Sequence, residues 1–500
     1  MGRGKGGGVR INSTRHLARK KCAMKFIPTI GLEVHCQLNT ASKLFSTAAT
    51  SFGADANTEV QTVCLGLPGA LPVLNIEAVN KAVRAGLALG GVIHERSKFD
   101  RKNYFYPDLP KGYQISQFFE PYCTKAHIDI QIESGKKTVG ITRIHIEEDA
   151  GKLMHSEDPG VHESYVDLNR AGTPLIEIVS EPEIDNSDEA VLYLTELKKI
   201  LEYIDVSDCN MEQGSLRVDA NVSVRPEGSD KLGTRVEIKN LNSFKSVKAA
   251  IEYEISRQSE LIESGGKVVQ ETRLYNAARD FTQSMRSKEE AHDYRYFPDP
   301  DLVPLILKTA DVDRIRAGLP ELAHQKRARY VSEFGLPEYD AGVLTAERET
   351  ALYFEDVLKA GAPAKKASNW VMVEMLAIVK AQNKALMALF PPTNLAELIH
   401  LIDSGVISGK IAKEVFADMV STGKKPKAIV DEKGMSQVSD EGAIREIVLS
   451  VMAEHPASVA DFKAGKDRAL KHLQGEIMKK TRGKVNPQVA NKLLGEELAK

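Results

Sequence analysis

The sequence predicts an α+β protein, in which a region built on an antiparallel sheet is followed by two all-α regions. From Thr29 to about Asp301 the chain alternates short strands with turn clusters and a few helices. After about Asp311 it becomes rich in Ala, Leu, Lys and Glu at helical spacing. The change of pattern places one boundary near residue 310, and a break at Pro391-Pro392 divides the helical part again.

The length of 500 residues exceeds what one ordinary core accommodates, and about three domains are expected. The predicted division is a disordered basic leader (1–24), a sheet domain (25–310), a helical domain (311–392) and a helical tail domain (393–500). The leader is rich in glycine, and no acid precedes Glu33. It is either an organellar presequence or the product of a start codon placed upstream of Met24, and we favour the second interpretation.

Charge and composition exclude several classes of protein. Because 67 Lys and Arg balance 69 Asp and Glu, no global attraction to nucleic acid or to an anionic membrane is expected, and any RNA contact must be local. No apolar stretch approaches the roughly 18 residues of a spanning helix. Five cysteines without paired spacing argue against a disulfide framework and for a reducing compartment. We therefore expect a cytoplasmic protein without a membrane partner, or a mitochondrial one if the leader is a presequence.

The first strand, predicted from Thr29 to Leu38, has one apolar and one polar face. Because successive side chains of a strand point to opposite sides, Glu33, His35 and Gln37 share the polar face. One side of this strand is therefore expected to face a core, and the other to carry polar groups.

Two later segments carry acids in apolar surroundings. Glu147 and Glu148 lie near the end of the segment Ile141–Asp149, and Glu177 lies within an apolar run. A lone carboxylate in such surroundings would be costly. His145, in the first segment, is interpreted as a hydrogen-bonded surface or core residue rather than as a ligand.

Two helices are predicted beside these strands. Asp188–Tyr203 carries apolar residues on one face behind Ser187 as N-cap, and Phe244–Ser264 is closed by Gly265-Gly266. Both helices are expected to pack on the sheet.

The strands predicted at 217–225 and 235–239 also have one apolar and one polar face, like the first strand. Their polar faces carry alternating bases and acids, namely Arg217, Asp219, Glu237 and Lys239. Because a loop that contains glycine joins the two strands, they are expected to form an antiparallel hairpin with adjacent polar faces.

Acids and bases that project from neighbouring strands suit phosphoryl transfer, in which positioning and charge neutralisation supply most of the catalysis. A hard cation such as Mg²⁺ takes a few protein carboxylates and keeps water and phosphate oxygens as its other ligands. Arg217 and Lys239 suit phosphate. The alternative is that these residues are the solvent face of a half-exposed sheet, and alternation alone does not separate the two interpretations.

Two familiar signatures are absent from the sequence. No G-x-x-x-x-G-K-[ST] loop is present, so ATP would bind outside the Walker fold. Neither an amidase-type stretch rich in Ser and Gly nor a convincing setting for a nucleophilic Cys is found. An amide-forming enzyme of this kind would therefore receive ammonia from a partner.

Nine motifs carry a resemblance to a known family. They are Ile30–His35, Cys64–Gly69, Phe99–Pro107, Gln114–Gln117, Glu147–Lys152, Asp167–Arg170, Gly214–Asn221, Lys239–Ser243 and Asp293–Pro298. In order and spacing they resemble the B subunits of the aspartyl/glutamyl-tRNA(Asn/Gln) amidotransferases, and the resemblance runs from about residue 25 to 500.

This resemblance implies a cradle-shaped catalytic domain followed by a helical domain and a small tail domain that helps to bind tRNA. It also implies two partner chains of a heterotrimer, namely an amidase and a small third subunit. Such an enzyme uses ATP and Mg²⁺ to phosphorylate the side-chain carboxylate of Glu on tRNA(Gln), or of Asp on tRNA(Asn). Ammonia from the amidase then displaces the phosphate, and the choice between Glu and Asp cannot be read from this sequence.

The resemblance also implies roles for individual residues. The Mg²⁺ ligands would be Glu33, His35, Glu148, Asp219 and Glu237, with Glu147 and Glu177 as nearby candidates. Arg217 and Lys239 would bind ATP phosphates and neutralise the transferring group. Glu148 is an alternative proton acceptor for ammonium at the mouth of an ammonia channel.

Two further expectations follow from the resemblance. Many relatives carry a four-cysteine zinc site where this chain has Ser46, Ala48, Gln61 and Cys64, so no structural zinc is expected. In the tail, a basic cluster is the candidate for contacts with tRNA phosphates, although a solvated helix end is nearly as good an interpretation. The cluster consists of Lys479, Lys480, Arg482 and Lys484.

Two other functions compete with this one. A Mg²⁺-dependent kinase or ligase for a free small carboxylate would share the acidic cluster but would not need the helical tail. A non-catalytic protein that binds tRNA or assembles the complex would tolerate loss of charge at Asp219 or Glu237.

Overall fold

The structure, a computed structural model, describes residues 25–156, 160, 162–287, 291–436, 441–481 and 485–500. The predicted leader and the tail residues Arg482 and Lys484 lie outside these ranges. The chain forms two compact units, of which one contains the described residues up to Leu201 with Asp205–Leu319, and the other Glu202–Ile204 with Pro320–Lys500. No described helix has both the length and the apolar character needed to span a membrane.

The first unit holds the strands and a few helices. Its described strands are β1 (Phe26–Gln37), β2 (Val92–Ile93), β3 (Arg96–Ser97), β4 (Asp100–Asn103), β5 (Tyr113–Ser116), β6 (Cys123–Ile132), β7 (Gly135–Glu148), β8 (Lys152–His155), β9 (Ser164–Asp167), β10 (Pro174–Ser180), β11 (Leu216–Pro226), β12 (Val236–Leu241), β13 (Glu271–Asn276), β14 (Phe281–Ser287), β15 (Phe297–Pro298) and β16 (Leu305–Ile306). Its described helices are α1 (Thr62–Leu65), α2 (Ile76–Ala88), α3 (Ser187–Tyr203), α4 (Phe244–Glu263) and α5 (Thr309–Ala317), with a 3₁₀ turn at Ala291–Tyr294.

Nine of the described strands form one sheet in the order β14-β13-β12-β11-β1-β10-β7-β6-β2. All neighbours pair antiparallel except β12 and β13, which are parallel. In the central strand β1 the alternation is as predicted, because Ile30, Leu32 and Val34 are buried in the core. The predicted hairpin is confirmed, since β11 and β12 pair antiparallel. The α+β prediction is therefore confirmed.

Both predicted helices of this unit form, with one correction at a helix start. Asn186 rather than Ser187 caps α3, because Asn186 Oδ1 accepts from the backbone N–H of Glu189 at 2.9 Å. The helix α4 is capped by Ser243 as it begins and packs on β11. It is closed by Gly265 and its neighbour, as predicted.

The second unit is all-α, as predicted. Its described helices are α6 (Ala323–Ser332), α7 (Glu338–Leu344), α8 (Arg348–Lys359), α9 (Ala364–Asn369), α10 (Leu376–Gln382), α11 (Pro392–Asp403), α12 (Gly409–Thr422), α13 (Pro426–Lys433), α14 (Glu441–Glu454), α15 (Pro456–Lys463), α16 (Asp467–Lys480) and α17 (Pro487–Leu498), with a π-helical segment at Trp370–Met375 and a 3₁₀ turn at Leu386–Ala388. One buried apolar cluster runs from Tyr330 to Val430 and another from Ile444 to Leu498. The domain boundaries at 310 and 393 stay predictions.

A buried charge network supports the first of these clusters. Glu355 accepts a hydrogen bond from the Tyr330 hydroxyl at 3.0 Å and forms ion pairs with Lys326 and Arg329. Burial raises the pKa of Glu355, but the two cations outweigh it and hold that pKa below its usual value.

The Glu355→Gln variant is expected to lower the free energy of unfolding by about 3 kcal/mol near pH 7, because it removes the nearest carboxylate partner of the buried Lys326. Because the folded-state pKa of Glu355 is depressed, its contribution is present above pH about 4.5 and is lost as the pH falls through the folded pKa. The difference in free energy of unfolding between the variant and the unsubstituted protein should therefore become smaller below that pH. Chemical denaturation at several pH values measures it.

Glu338→Gln is the matched control, since Glu338 pairs at 2.7 Å with Arg327 on the surface. Exposed ion pairs contribute little to stability. The free energy of unfolding of this variant should therefore stay within about 1 kcal/mol of that of the unsubstituted protein. Equal losses in the two variants would contradict the burial argument.

Candidate active site

A row of polar side chains crosses four neighbouring strands of the large sheet. In β1, His35 pairs with Arg217 of β11 on one side and with Glu177 of β10 on the other. Glu177 pairs in turn with His145 of β7. Paired residues of antiparallel strands project on the same face, and Glu147 follows His145 by two residues in β7. These five side chains therefore share one surface, which we call the first polar row.

A second polar row, formed by Glu33, Asp219, Glu237 and Lys239, lies beside the first. Glu33 pairs with Asp219 across β1 and β11, and Lys239 forms an ion pair with Asp219. Lys239 Nζ also lies 3.4 Å from Glu237 Oε1. Asn221 Nδ2 donates to Glu33 Oε1 at 2.9 Å. The polar faces of the hairpin are therefore adjacent, as predicted.

Two imidazoles and two carboxylates converge in the first row. His35 Nε2 lies 3.5 Å from Glu147 Oε1 and 3.6 Å from Glu177 Oε2. His145 Nε2 lies 3.1 Å from Glu177 Oε2. Glu147 is 2 % exposed, His145 3 % and Glu177 8 %, so the interpretation as a solvent face does not hold for this row. Oxygen-rich sites with an imidazole suit a divalent cation, and one ligand atom each of His35, Glu147 and Glu177 lies within 4.8 Å of the others.

The charge of His145 is set by its neighbours. Burial lowers the pKa of this imidazole, but the carboxylates of Glu177 and Glu147 outweigh burial and raise the pKa to about 9. In the described residues, its buried Nδ1 has no hydrogen-bond partner. A protonated His145 thus balances part of the negative charge of the two glutamates.

Arg217 is held at the edge of the first row by Asp149. Its Nη2 lies 2.7 Å from Asp149 Oδ2, which also accepts from Gln37 Nε2 at 2.9 Å. Burial opposes the guanidinium charge, but the Asp149 carboxylate outweighs it and raises the pKa of Arg217. The buried Nε of Arg217 has no hydrogen-bond acceptor among the described residues.

Lys239 remains charged in its partly buried position. Burial lowers its pKa, but Asp219 and Glu237 outweigh that effect and raise it. The lysine therefore supplies a permanent positive charge beside the two carboxylates.

The structure does not bring Glu148 into either polar row. It follows Glu147 in β7, and successive residues of a strand point to opposite faces. There it forms a buried ion pair with Lys111 and accepts from the backbone N–H of Ile115 at 2.9 Å. Of the predicted ligands, the two rows therefore contain Glu33, His35, Asp219 and Glu237, together with the nearby candidates Glu147 and Glu177. Glu148 lies outside both rows.

Sequence reasoning missed Lys102, which lies close to the first row, and it did not assign a charged role to His145 within that row. Lys102 Nζ lies 4.8 Å from the centre of the Tyr294 ring and 5.8 Å from that of Tyr104. Burial lowers the pKa of Lys102, but the carboxylates of Glu147 and Glu177 outweigh it and raise the pKa. Its strand β4 is only four residues long, too short for an alternation signal. His145 lies beside Glu147 on the same strand, but its nearest carboxylate, Glu177, belongs to β10, so its setting depends on strand order.

The positions compared with a zinc site make hydrogen bonds instead. Ser46 Oγ lies 3.4 Å from Cys64 Sγ, and Gln61 Nε2 donates to Thr47 Oγ1 at 2.8 Å. A single thiol among these positions does not supply the ligands of a tetrahedral zinc site.

The described lysines of the tail cluster already have acidic partners. Lys479 Nζ lies 3.4 Å from Glu476 Oε1, and Lys480 pairs with Glu454. A contact of this cluster with tRNA phosphates therefore stays a prediction.

Two family models match this chain. A family described as the GatB/GatE catalytic domain matches residues 28–313, and a second described as the GatB domain matches residues 352–498. The first match contains both polar rows.

Curated relatives match almost the whole chain. A protein of Thermoanaerobacter pseudethanolicus is 54 % identical over 478 residues, which is 95 % of this chain and 100 % of the relative. One of Geotalea daltonii is 56 % identical over 477 residues, 95 % of this chain and 100 % of the relative. One of Leptospira biflexa is 55 % identical over 474 residues, 94 % of this chain and 97 % of the relative. All three are named as the B subunit of an aspartyl/glutamyl-tRNA(Asn/Gln) amidotransferase.

Proposed function

The chain belongs to the GatB/GatE family, and from this premise we propose that it forms the amide in a tRNA-dependent transamidation. The substrates are Glu-tRNA(Gln), Asp-tRNA(Asn) or both, together with ATP and ammonia. The observation that carries the proposal is the pair of polar rows, which combine carboxylates, imidazoles and two fixed cations on one face of the sheet.

The reaction has two steps. A side-chain carboxylate oxygen attacks the γ-phosphorus of ATP, the bond from that phosphorus to the β,γ-bridging oxygen breaks, and ADP leaves. Ammonia then attacks the carbonyl carbon of the acyl phosphate, loses a proton to a base, and expels inorganic phosphate. A carboxylate is a poor acyl donor until it is phosphorylated, and the acyl phosphate must be shielded from water while ammonia arrives.

Arg217 and Lys239 are proposed to bind the phosphates and to neutralise the transferring group. Both have raised pKa values, so both stay charged throughout the physiological range. Lys102 is proposed to add a third positive charge beside Glu147 and Glu177. Groups that are already oriented toward developing charge need no reorganisation during the reaction.

The proposed Mg²⁺ ligands are the predicted residues that lie in the two rows, with Glu147 and Glu177 added. The fit rests on the donor set, since His35, Glu147 and Glu177 each place a ligand atom within 4.8 Å of the others. When bound, Mg²⁺ neutralises phosphate oxygens and orients them for transfer. Glu148, paired with Lys111 on the other face, is retained as the proposed proton acceptor for ammonium.

The names of the relatives, which designate one subunit of an enzyme, imply a complex of several chains. We propose that an amidase chain supplies the ammonia, that a small third subunit completes a heterotrimer, and that the tail domain contacts tRNA. The proposed location is the cytoplasm, where tRNA is charged and used, with mitochondria as the alternative.

Isotope transfer tests the proposal directly. The chain, co-expressed with its partner chains, is given ATP, Mg²⁺, ammonium chloride and Glu-tRNA(Gln) or Asp-tRNA(Asn) labelled with ¹⁸O in the side-chain carboxylate. One ¹⁸O should appear in phosphate for each amide formed, because a carboxylate oxygen leaves with the phosphoryl group. A chelator should stop the reaction and added Mg²⁺ should restore it.

The same experiment separates the competing functions. Amide formation without ¹⁸O in phosphate would contradict an acyl phosphate. Equal turnover of free glutamate or aspartate would instead favour a ligase for small carboxylates.

A further inference from the structure

Arg143 is a cation on the face of the two polar rows that no step of the proposed reaction uses. It lies in β7, two residues before His145 and on the same face. In the register of the sheet it pairs with Val179 of β10, and Val179 pairs in turn with Glu33 of β1. Arg143 is therefore in line with the second polar row, on the opposite side of Glu33 from Asp219.

The guanidinium of Arg143 has no acidic partner. Arg217 and Lys239 each form an ion pair with a carboxylate, whereas Arg143 forms none in the part of the chain that the structure describes. The residue is half-buried, and only its Nε is a buried donor without an acceptor. Its two Nη groups are therefore open to a ligand from outside the protein.

Aromatic rings position this guanidinium. Its Cζ lies 5.6 Å from the centre of the Phe118 ring, which stacks on Tyr296 with 4.0 Å between ring centres and 13° between ring planes. The backbone of Phe118 is fixed in turn, because its N–H donates to Asp100 Oδ2 at 3.0 Å. A cation–π contact orients a guanidinium without using its N–H groups as hydrogen-bond donors. Packing rather than a carboxylate thus sets the direction of Arg143.

We propose, on the basis of the proposed function, that the Arg143 guanidinium binds the side-chain carboxylate of the aminoacyl group on tRNA. A guanidinium binds a carboxylate through two parallel N–H···O bonds, which fix its direction as well as its place. A carboxylate has about four lone-pair sites, so one oxygen can still attack phosphorus. The amide of the product is uncharged and has one acceptor oxygen, so it is bound more weakly and can leave.

The position of Arg143 favours this carboxylate over a phosphate of ATP. Phosphoryl transfer places the attacking and the leaving oxygen on opposite sides of the phosphorus. Lys239, proposed to bind phosphate, pairs with Asp219 on one side of Glu33. Arg143 lies on the other side, two strand spacings or about 10 Å from Glu33. The carboxylate can therefore approach from the side of Arg143 while ADP leaves on the side of Lys239.

Two substitutions of Arg143 test the proposal. Arg143→Met removes the charge and keeps most of the length, whereas Arg143→Lys keeps the charge but lacks the fork of two donors. Arg314→Met is the matched control, because Arg314 pairs with Asp311 in an exposed position at 3.0 Å. Each complex is titrated, without ATP, with tRNA(Gln) and tRNA(Asn) in three forms, which carry the acidic amino acid, the corresponding amide, or no amino acid. Binding of ADP with Mg²⁺ and the thermal midpoint are measured alongside.

Arg143→Met is expected to weaken binding of the acid-charged tRNA by about 10- to 100-fold, since a hydrogen bond to a charged group contributes at that order. Arg143→Lys should lose part of this affinity. Binding of the amide-charged and uncharged tRNA and of ADP should change by less than about twofold in both variants. Every affinity should stay within that limit in Arg314→Met. The thermal midpoint of Arg143→Met should fall by no more than a few degrees, because Arg143 has no acceptor to lose.

Three results would overturn the proposal. Equal weakening of all three forms of tRNA would assign Arg143 to a tRNA phosphate, and weaker binding of ADP would assign it to the nucleotide. Unchanged binding of the acid-charged tRNA would show that Arg143 does not contact its carboxylate. Arg143→Lys gives the same test if Arg143→Met does not fold. A failure of the proposed function is recognised separately, because the unsubstituted complex would then convert neither Glu-tRNA(Gln) nor Asp-tRNA(Asn).

Discussion

Replacing Asp219 by asparagine is expected to reduce ATP-dependent conversion of misacylated tRNA by about 10³-fold or more, even when ammonium chloride supplies the nitrogen. Asp219 joins Glu33 across two strands and pairs with Lys239. The variant keeps the shape of the side chain but removes a charge from the proposed cation site, so the loss should appear in kcat. The measurement is the initial rate of amide formation by the complex.

Asp188→Asn is the control for Asp219→Asn. Asp188 also pairs with a lysine, Lys248, but at the exposed start of α3. It should leave the rate within about twofold, and both variants should unfold cooperatively. Equal rates for Asp219→Asn and the unsubstituted complex would place the chemistry elsewhere and would favour a non-catalytic role for this chain.

Lys239→Gln is expected to lower kcat by about 10²–10³-fold, as loss of one group that stabilises transition-state charge does in other enzymes. The lysine lies between two acids and keeps its proton over the whole working range. Because the proposed role is charge neutralisation in the transition state, the KM for aminoacyl-tRNA should change much less than kcat. Steady-state rates with each substrate varied in turn separate the two constants.

Lys248→Gln is the matched control, and Lys239→Arg is a second comparison. Lys248→Gln should leave kcat unchanged. Lys239→Arg should retain part of the rate, because arginine keeps the charge but not its position. A fall in stability with an unchanged kcat would show that Lys239 serves only to balance the acids around it.

Much of the site can be predicted from the alternation of polar and apolar residues, because this pattern depends only on near neighbours in the sequence. Alternation predicts that Glu33, His35, Asp219 and Glu237 lie on polar faces, and the structure places each of them on the same surface of one sheet. The hairpin of β11 and β12 was also accessible, since a short loop joins its strands.

The order of the strands in the sheet and the residues that end each strand cannot be predicted from the sequence in this way. Nothing local in β1 indicates that its neighbours are β10 and β11. Glu147 and Glu148 were indistinguishable for a similar reason, because only the register with β10 shows which of them shares a face with Glu177. Lys102 was missed since its position depends on packing between short segments.

The central place of β1 has a consequence for synthesis of the chain. This strand is among the first described residues to leave the ribosome, yet both of its partners lie far downstream, the nearer being β10 (Pro174–Ser180). Until those segments emerge, both edges of β1 remain available for wrong pairing, which is the hazard of unpaired strand edges in nascent chains. Such long-range pairing also slows folding. The surface that carries the two polar rows is thus assembled late, and we expect the nascent chain to depend on chaperone protection until β11 has been made.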